Sequence, residues 1–316
     1  MSTLPLSSLS GKTTRIADAH GPAVSCENPP RLLRPRLVAV DLDGTYLDNN
    51  GRISPSNQSV VAELAAEGIA FCIATGRIQA RLPQDLERIP ALRYFVCANG
   101  ANVYDRQTGR ILASRPIPSA RVAAFIEAAR PFQIYHEVYI DGEAYTDEDA
   151  LSYFSPELFP ISKRQDLMRS RHIVPDLLLL LAEKSGAGKL FFPVVPDTIA
   201  ANFAAVIARF PDLVMTRSSA RTWELNLKGC SKRNGLEDLA RQLGLTLNQV
   251  MAFGDAGNDL DMLRGVGYPV AMANSDPDVL KACRYHAGQN HPDGVAQFLR
   301  AWVLGGAERR DGTVQN

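Results

Sequence analysis

The chain has 316 residues, 46% of them apolar, with 34 basic and 34 acidic side chains and no formal net charge at pH 7. That is enough for one large domain or two ordinary ones with a sizeable core, and the balance argues against a nucleic-acid-binding surface as the main function. Five cysteines without a CxxC pair read as free thiols of a reducing, cytoplasmic compartment, and no apolar run approaches the ~20 residues needed to cross a bilayer.

Residues 1–35 are rich in Ser, Thr, Pro and Gly, carry only Asp18 and Glu27 as acids, and show no helical or strand period, which predicts a disordered tail. An acid-poor, Ser-rich segment also fits an organelle transit peptide, but arginines are few and the amphipathic pattern is poor. The run Arg36-Leu37-Val38-Ala39-Val40 reads as a buried parallel strand, ending at Asp41-Leu42-Asp43-Gly44-Thr45. Ser54 and Pro55 suit the N-cap and first position of a helix with the apolar face Val60, Val61, Leu64 and Ala65, closed by Gly68. Residues 69–74 predict a second strand, ending at Thr75-Gly76-Arg77, and 94–97 a third, ending at Asn99-Gly100. Strand and helix alternate as in a doubly wound, Rossmann-like parallel sheet, an α/β fold. Val103-Tyr104 and Ile111-Leu112 around Thr108-Gly109 predict a hairpin.

From about residue 117 the rhythm changes. A helix over 119–129 precedes the alternating run 134–140, the turn Asp141-Gly142 and a further extended segment at Tyr145. The apolar run Leu177–Ala182 suits a core strand, and extended runs recur at 190–195, 213–216 and 222–227, with a helix over 198–210. This is the pattern of an inserted α+β unit with an antiparallel sheet. After Leu227 the parallel rhythm returns, with helices over 231–243, 258–264, 276–281 and 293–303 and strands over 250–253 and 266–271. The predicted organisation is a core of residues 36–116 plus 226–303, an insertion over 117–225, and a flexible polar tail over 304–316.

Four clusters carry the chemistry. Asp41 and Asp43, one residue apart at the carboxyl end of a strand, repel each other and persist together most readily around a cation, although Asp-Gly turns are common without one. Thr75 with Gly76 offers a hydroxyl and exposed N–H groups that suit a phosphoryl oxygen; alone, an ordinary β–α turn explains it as well. Lys232 sits in the first turn of a helix, where a cation opposes the macrodipole and calls for an anionic partner. Gly254-Asp255-Ala256-Gly257-Asn258-Asp259 adds two acids around a tight turn. Four carboxylates without a cation are costly at any partly buried site. Their conjunction at strand ends and helix starts points to a Mg²⁺ site and phosphate chemistry.

At these motifs the chain resembles the haloacid dehalogenase-like phosphatases, in particular the Cof-type branch with a large cap inserted between the second and third motifs. The resemblance covers residues 36–303 and includes Ala98–Ala101 and Asn290–Val295. It implies that Asp41 is the nucleophile forming an aspartyl phosphate, that Asp43 is the general acid and then the base, and that Thr75, Gly76 and Asn258 contact the phosphoryl group. Lys232 would screen charge between nucleophile and phosphate. Mg²⁺ would be held by Asp41, the backbone carbonyl of Asp43 and Asp255, with Asp259 completing the acidic shell directly or through water. The implied activity is hydrolysis of a small phosphate ester, such as a sugar phosphate, pyridoxal phosphate or flavin mononucleotide. The alternatives are a phosphosugar mutase of the same superfamily and a non-catalytic phosphometabolite sensor. Neither a nucleic acid nor a membrane is expected as a partner, and a homodimer is left open.

Two departures stand out. Tyr46 replaces the usual aliphatic residue and is positioned to narrow the leaving-group side, and Arg233 follows Lys232 where a glycine is usual, which bears on the local helix geometry. The segment 185–190 has a superficial P-loop look, but Glu183 and Leu190 break the pattern. Lys189 is left between a substrate-facing and a solvated role. Tyr135, His136 and Tyr139 are read as sheet packing.

Overall fold

The computed structural model describes residues 32–154, 170–217 and 221–305. It opens with β1 (Leu37–Val40), all four residues of which are buried. Helix α1 (Pro55–Ala66) starts where the Ser54 hydroxyl accepts from the Asn57 N–H. Strands β2 (Ala70–Ala74) and β3 (Tyr94–Cys97) follow, then the hairpin β4 (Asn102–Asp105) and β5 (Arg110–Ser114). The inserted part runs β6 (Ile117–Pro118), α2 (Ser119–Ala129), β7 (Glu137–Ile140), β8 (Glu143–Asp147), α3 (Glu148–Ser152), β9 (His172–Val174) and α4 (Leu177–Ala182). It continues through β10 (Gly186–Ala187), β11 (Lys189–Phe192), α5 (Asp197–Ile207), β12 (Leu213–Arg217) and β13 (Trp223–Leu227). The chain returns through α6 (Lys232–Gln242), β14 (Val250–Gly254), α7 (Leu260–Gly265), β15 (Tyr268–Ala271), α8 (Pro277–Ala282), β16 (Tyr285–His286) and α9 (Gly294–Leu299).

The larger sheet has the order β16-β15-β14-β1-β2-β3-β4-β5. Its neighbours are parallel except at the β3–β4 and β4–β5 edge. Val38 and Val40 pack into a layer with α1 and α9, and Leu37 and Ala39 into one with α6, α7 and α8. Burial on both faces explains the unbroken apolar run of β1. Strand β1 lies between β2 and β14, so the order reverses beside it, and open α/β sheets bind ligands at the carboxyl ends by such a reversal. Val40 pairs with both Ile73 and Phe253. That register brings Asp41, Thr75 and Asp255 out at one edge.

The second sheet has the order β12-β13-β11-β7-β8-β9 and is antiparallel except for β8–β9. Helices α2, α4 and α5 cover one face. From the other face Tyr139, Ala144 and Phe191 pack with Ile78, Ala98, Ala101 and Cys230 of the first sheet's loops. The fold is thus α/β, a Rossmann-like core with an inserted cap.

Leu177–Ala182, expected as a strand, is the helix α4. Consecutive leucines carry no period, and leucine is not β-branched, so its helix propensity is high. Asp176 decides the outcome by accepting from the Leu178 and Leu179 N–H groups as N-cap. The predicted tails lie outside the described residues except for 32–35 and 304–305, where the Leu33 N–H donates to the Trp302 carbonyl at 2.8 Å. Among the described residues no helix is long and apolar enough to cross a membrane, and the four described cysteines are free and buried.

Candidate active site

Asp41 follows β1 directly and is buried. Lys232 is the first residue of α6, capped by Ser231, and its ammonium donates to Asp41 Oδ1 at 2.6 Å and Asp259 Oδ1 at 2.7 Å. Two anions thus supply the reason for a cation at the wrong end of a helix. The other Asp259 oxygen accepts from the N–H groups of Asp255 (3.1 Å) and Ala256 (3.2 Å). Asp255 Oδ1 accepts from the Thr45 hydroxyl at 2.8 Å. Gly44 has φ +83°, and a Cβ there would run into the Asp255 carboxylate. Glycine lets the two acidic loops close on each other.

Asp41, Asp255 and Asp259 each offer an oxygen, all within 4.8 Å of one another. Against the single Lys232 ammonium they leave two negative charges uncompensated. Burial raises the Asp41 carboxyl well above the carboxylate range; Lys232 opposes this, and Asp259 and Asp255 add to it. Burial, with Asp259 adding and the Thr45 hydrogen bond opposing, pushes Asp255 up to about 6. Burial works against the Lys232 charge, but the combined pull of Asp259 and Asp41 outweighs it, and its pKa rises. An all-oxygen donor set with this charge suits a hard divalent cation. Asp41 and Asp255 each keep an oxygen without a hydrogen bond among the described residues, whereas both Asp259 oxygens are engaged. The first two therefore fit a metal's coordination sphere, and Asp259 fits the frame behind it.

The Asp43 side chain lies outside this acidic group. It is 60% exposed and its carboxylate is held by Arg77, with Nε donating to Oδ2 at 2.9 Å. Thr75 is buried, and its hydroxyl accepts from the Arg77 N–H at 3.1 Å. The Gly76 carbonyl accepts from Lys189 at 2.8 Å. Asn258 is exposed in the turn Gly257–Asp259, and its side chain makes no hydrogen bond among the described residues.

Tyr46 does not narrow the leaving-group side. It is fully buried beside Phe71, and its hydroxyl donates to the Asn57 carbonyl at 2.6 Å. Lys189 is not solvated either; it is 2% exposed and bonded across to the first sheet's loop. Arg233 leaves the start of α6 intact and packs over Gly265. Tyr139 is buried in the second sheet and Tyr135 in the segment that leads into β7, as packing residues should be. Thr45 and Arg77 stand in the quoted motifs with no side-chain role assigned to them, and Asn274 escaped the sequence reading altogether. The first two adjoin residues already singled out, and that adjacency was a usable signal. Asn274, whose amide donates to the Gly44 carbonyl at 2.7 Å, comes from a distant loop and carries no such mark.

A family model described as haloacid dehalogenase-like hydrolase matches residues 38–299. The chain is similar to Phosphatase YwpJ of Bacillus subtilis, 25% identical over 84% of this chain and 99% of that one. It is also similar to Pyridoxal phosphate phosphatase YbhA of Escherichia coli, 26% identical over 85% of this chain and 99% of that one. Among solved structures it superposes on BT1666 of Bacteroides thetaiotaomicron with a TM-score of 0.71 at 22% identity, covering 85% of this chain and 95% of that one. TM0651 of Thermotoga maritima gives a TM-score of 0.70 at 25% identity, covering 84% and 96%.

Proposed function

The chain belongs to the haloacid dehalogenase-like hydrolase family, and from that premise we propose that it is a Mg²⁺-dependent phosphatase acting on a small phosphorylated metabolite through an aspartyl phosphate on Asp41. The observation that carries this reading is the meeting of Asp41, Lys232, Asp255 and Asp259 beside the reversal point of the parallel sheet. Asp41 and Asp255 would hold Mg²⁺, with the Asp43 carbonyl as the family resemblance implies and Asp259 behind, and the ion would neutralise charge on the transferring group.

The chain's own residues would divide the work as follows. The Asp41 carboxylate attacks phosphorus, and the bond to the ester oxygen breaks. Asp43 gives its proton to that departing oxygen, for which it must part from Arg77. Water then attacks the phosphorus of the aspartyl phosphate, Asp43 takes the water's proton, and inorganic phosphate leaves with Asp41 restored. Lys232, pinned by Asp259, stays against Asp41 and offsets its charge. The Thr75 hydroxyl accepts from the Arg77 N–H, so its own hydrogen is left for a phosphoryl oxygen. Asn258, at the exposed mouth, would make a further contact to the phosphoryl group.

The unit over 117–225 would act as a cap on the core of 36–116 plus 226–303, excluding water and selecting the substrate. The named activity of YbhA, on pyridoxal phosphate, supports a phosphorylated cofactor as the substrate class. The test is turnover of p-nitrophenyl phosphate with Mg²⁺ or EDTA, beside Asp41→Asn. Loss of turnover in the variant and in EDTA is expected; undiminished turnover by Asp41→Asn removes the nucleophile. A panel of phosphorylated metabolites ranked by kcat/KM would then identify the substrate.

A further inference from the structure

Lys189 stands on β11, on the face of the second sheet that meets the first. Its ammonium donates to the Gly76 carbonyl at 2.8 Å and to Glu224 Oε2 at 2.9 Å, and it lies 5.0 Å and 5.3 Å from the ring centroids of Tyr139 and Phe191. The same Glu224 oxygen accepts from the Asn99 amide at 2.8 Å. Asn99 also donates to Asn226 Oδ1 at 3.2 Å, and the Asn226 amide donates to the Ala98 and Gly188 carbonyls. A buried charge is costly unless paired and hydrogen-bonded, and here both partners are.

The Gly76 carbonyl and the Arg77 N–H belong to one peptide unit. Lys189 holds its oxygen, and the Thr75 hydroxyl accepts from its N–H at 3.1 Å. The unit is planar, so turning it moves both bonds together. The surrounding loop is fixed as well: the Asn99 N–H donates to the Thr75 carbonyl at 3.1 Å, and the Ala98 N–H to the Arg77 carbonyl at 2.8 Å. A Cβ on Gly76 would lie 2.9 Å from Asn99 Oδ1, so the two loops already touch. Arg77 also carries the guanidinium that holds Asp43.

We infer that Lys189 is a positioning residue: from the inserted sheet it orients the Gly76–Arg77 peptide, and through it the Thr75 hydroxyl and the Arg77–Asp43 pair. The phosphate-binding loop is then complete only while the two sheets are seated together. Lys189 does this without touching the substrate. The inference rests on the phosphatase reading above.

The test is a double-variant cycle on the full-length protein with Mg²⁺ and p-nitrophenyl phosphate. Lys189→Met/Glu224→Gln removes both charges without stranding a buried carboxylate, and Thr75→Val removes the hydroxyl. The first is expected to lower kcat by up to about 100-fold, the scale of a misplacement of ~1 Å, with the greater part in kcat and not in KM. In the Thr75→Val background the same change should add little, because the two act through one peptide. Lys189→Arg, which keeps a donor for Gly76, should recover most of the loss. Unchanged kcat, or losses that simply add, overturns the inference. Circular dichroism checks folding. If the pair does not fold, Glu224→Gln alone takes its place; it loosens Lys189, and a smaller loss absorbed by Thr75→Val is expected, while no loss overturns the inference. An active Asp41→Asn sinks the phosphatase reading; an inactive one beside an additive cycle sinks only the role of Lys189.

Discussion

Replacing Lys232 with methionine tests the charge arrangement of the site directly. The ammonium is 1% exposed and bonded to Asp41 and Asp259. Methionine fills similar volume but leaves three carboxylates facing one another. Removing one partner of a buried pair costs about 3–5 kcal/mol. At about 2–4 °C per kcal/mol this lowers Tm by roughly 6–20 °C, nearer the low end for a chain of this size. The loss should depend on pH. Asp41 already has a folded pKa above its unfolded value, so its stabilising share is present at low pH and lost as pH rises through the folded value. Without the ammonium that value rises further. Asp255, whose folded value of about 6 is also held down by Lys232, rises in the same way. In EDTA the deficit of Lys232→Met should therefore be flat near pH 5 and widen above about 6 toward pH 8, where the parent protein ionises Asp255 and the variant does not. Mg²⁺ should narrow it at pH 8, since a cation that binds only the folded state stabilises that state. Calorimetry over this pH range, with EDTA and with Mg²⁺, is the assay. A small deficit that ignores both pH and Mg²⁺ would refute the reasoning, because Lys232 would then not be offsetting the acidic cluster.

Three further outcomes follow from other contacts. Because burial pushes Asp255 up to about 6, protons should compete with the cation, and Mg²⁺ affinity measured by titration calorimetry should fall by up to about tenfold per pH unit below that point; constant affinity from pH 7 to pH 5 contradicts this. Ser231→Ala removes the hydroxyl that caps α6 through the Asn234 N–H at 3.2 Å, and denaturant unfolding should show a loss of about 1 kcal/mol. Tyr46→Phe strips the donor from the buried Asn57 carbonyl, costing about 1 kcal/mol in the same assay with kcat/KM unchanged; altered substrate preference would return Tyr46 to the leaving-group side.

The parts of the fold that were legible follow local rules. Ser54 and Pro55 mark the start of α1 because capping and a fixed φ act within one turn. Strand β1 is readable because a strand covered on both faces needs no alternation. Leu177–Ala182 fails for the converse reason: six apolar residues suit a buried helix or a buried strand, and the deciding contact comes from the neighbouring Asp176. Asp41, Lys232, Asp255 and Asp259 were visible one by one as charges that needed partners. Their pairing across as many as 191 positions was not. The Arg77–Asp43 pair spans 34 positions, and no periodicity reports it.

Lys189 shows where the sequence stops informing function. On β11, Lys189 and Phe191 face the first sheet, while Leu190 and Phe192 belong to the insertion's own core. On β13, Glu224 and Asn226 bond across to Asn99, and Trp223 and Leu225 face inward. Which set points at the catalytic edge depends on register, and a slip of one residue exchanges the two sets. Catalytic residues at the ends of parallel strands do not suffer this ambiguity, because every strand delivers its last residue to the same edge. The chemistry is therefore written in motifs. On β7, Glu137 and Tyr139 share a face by the same alternation.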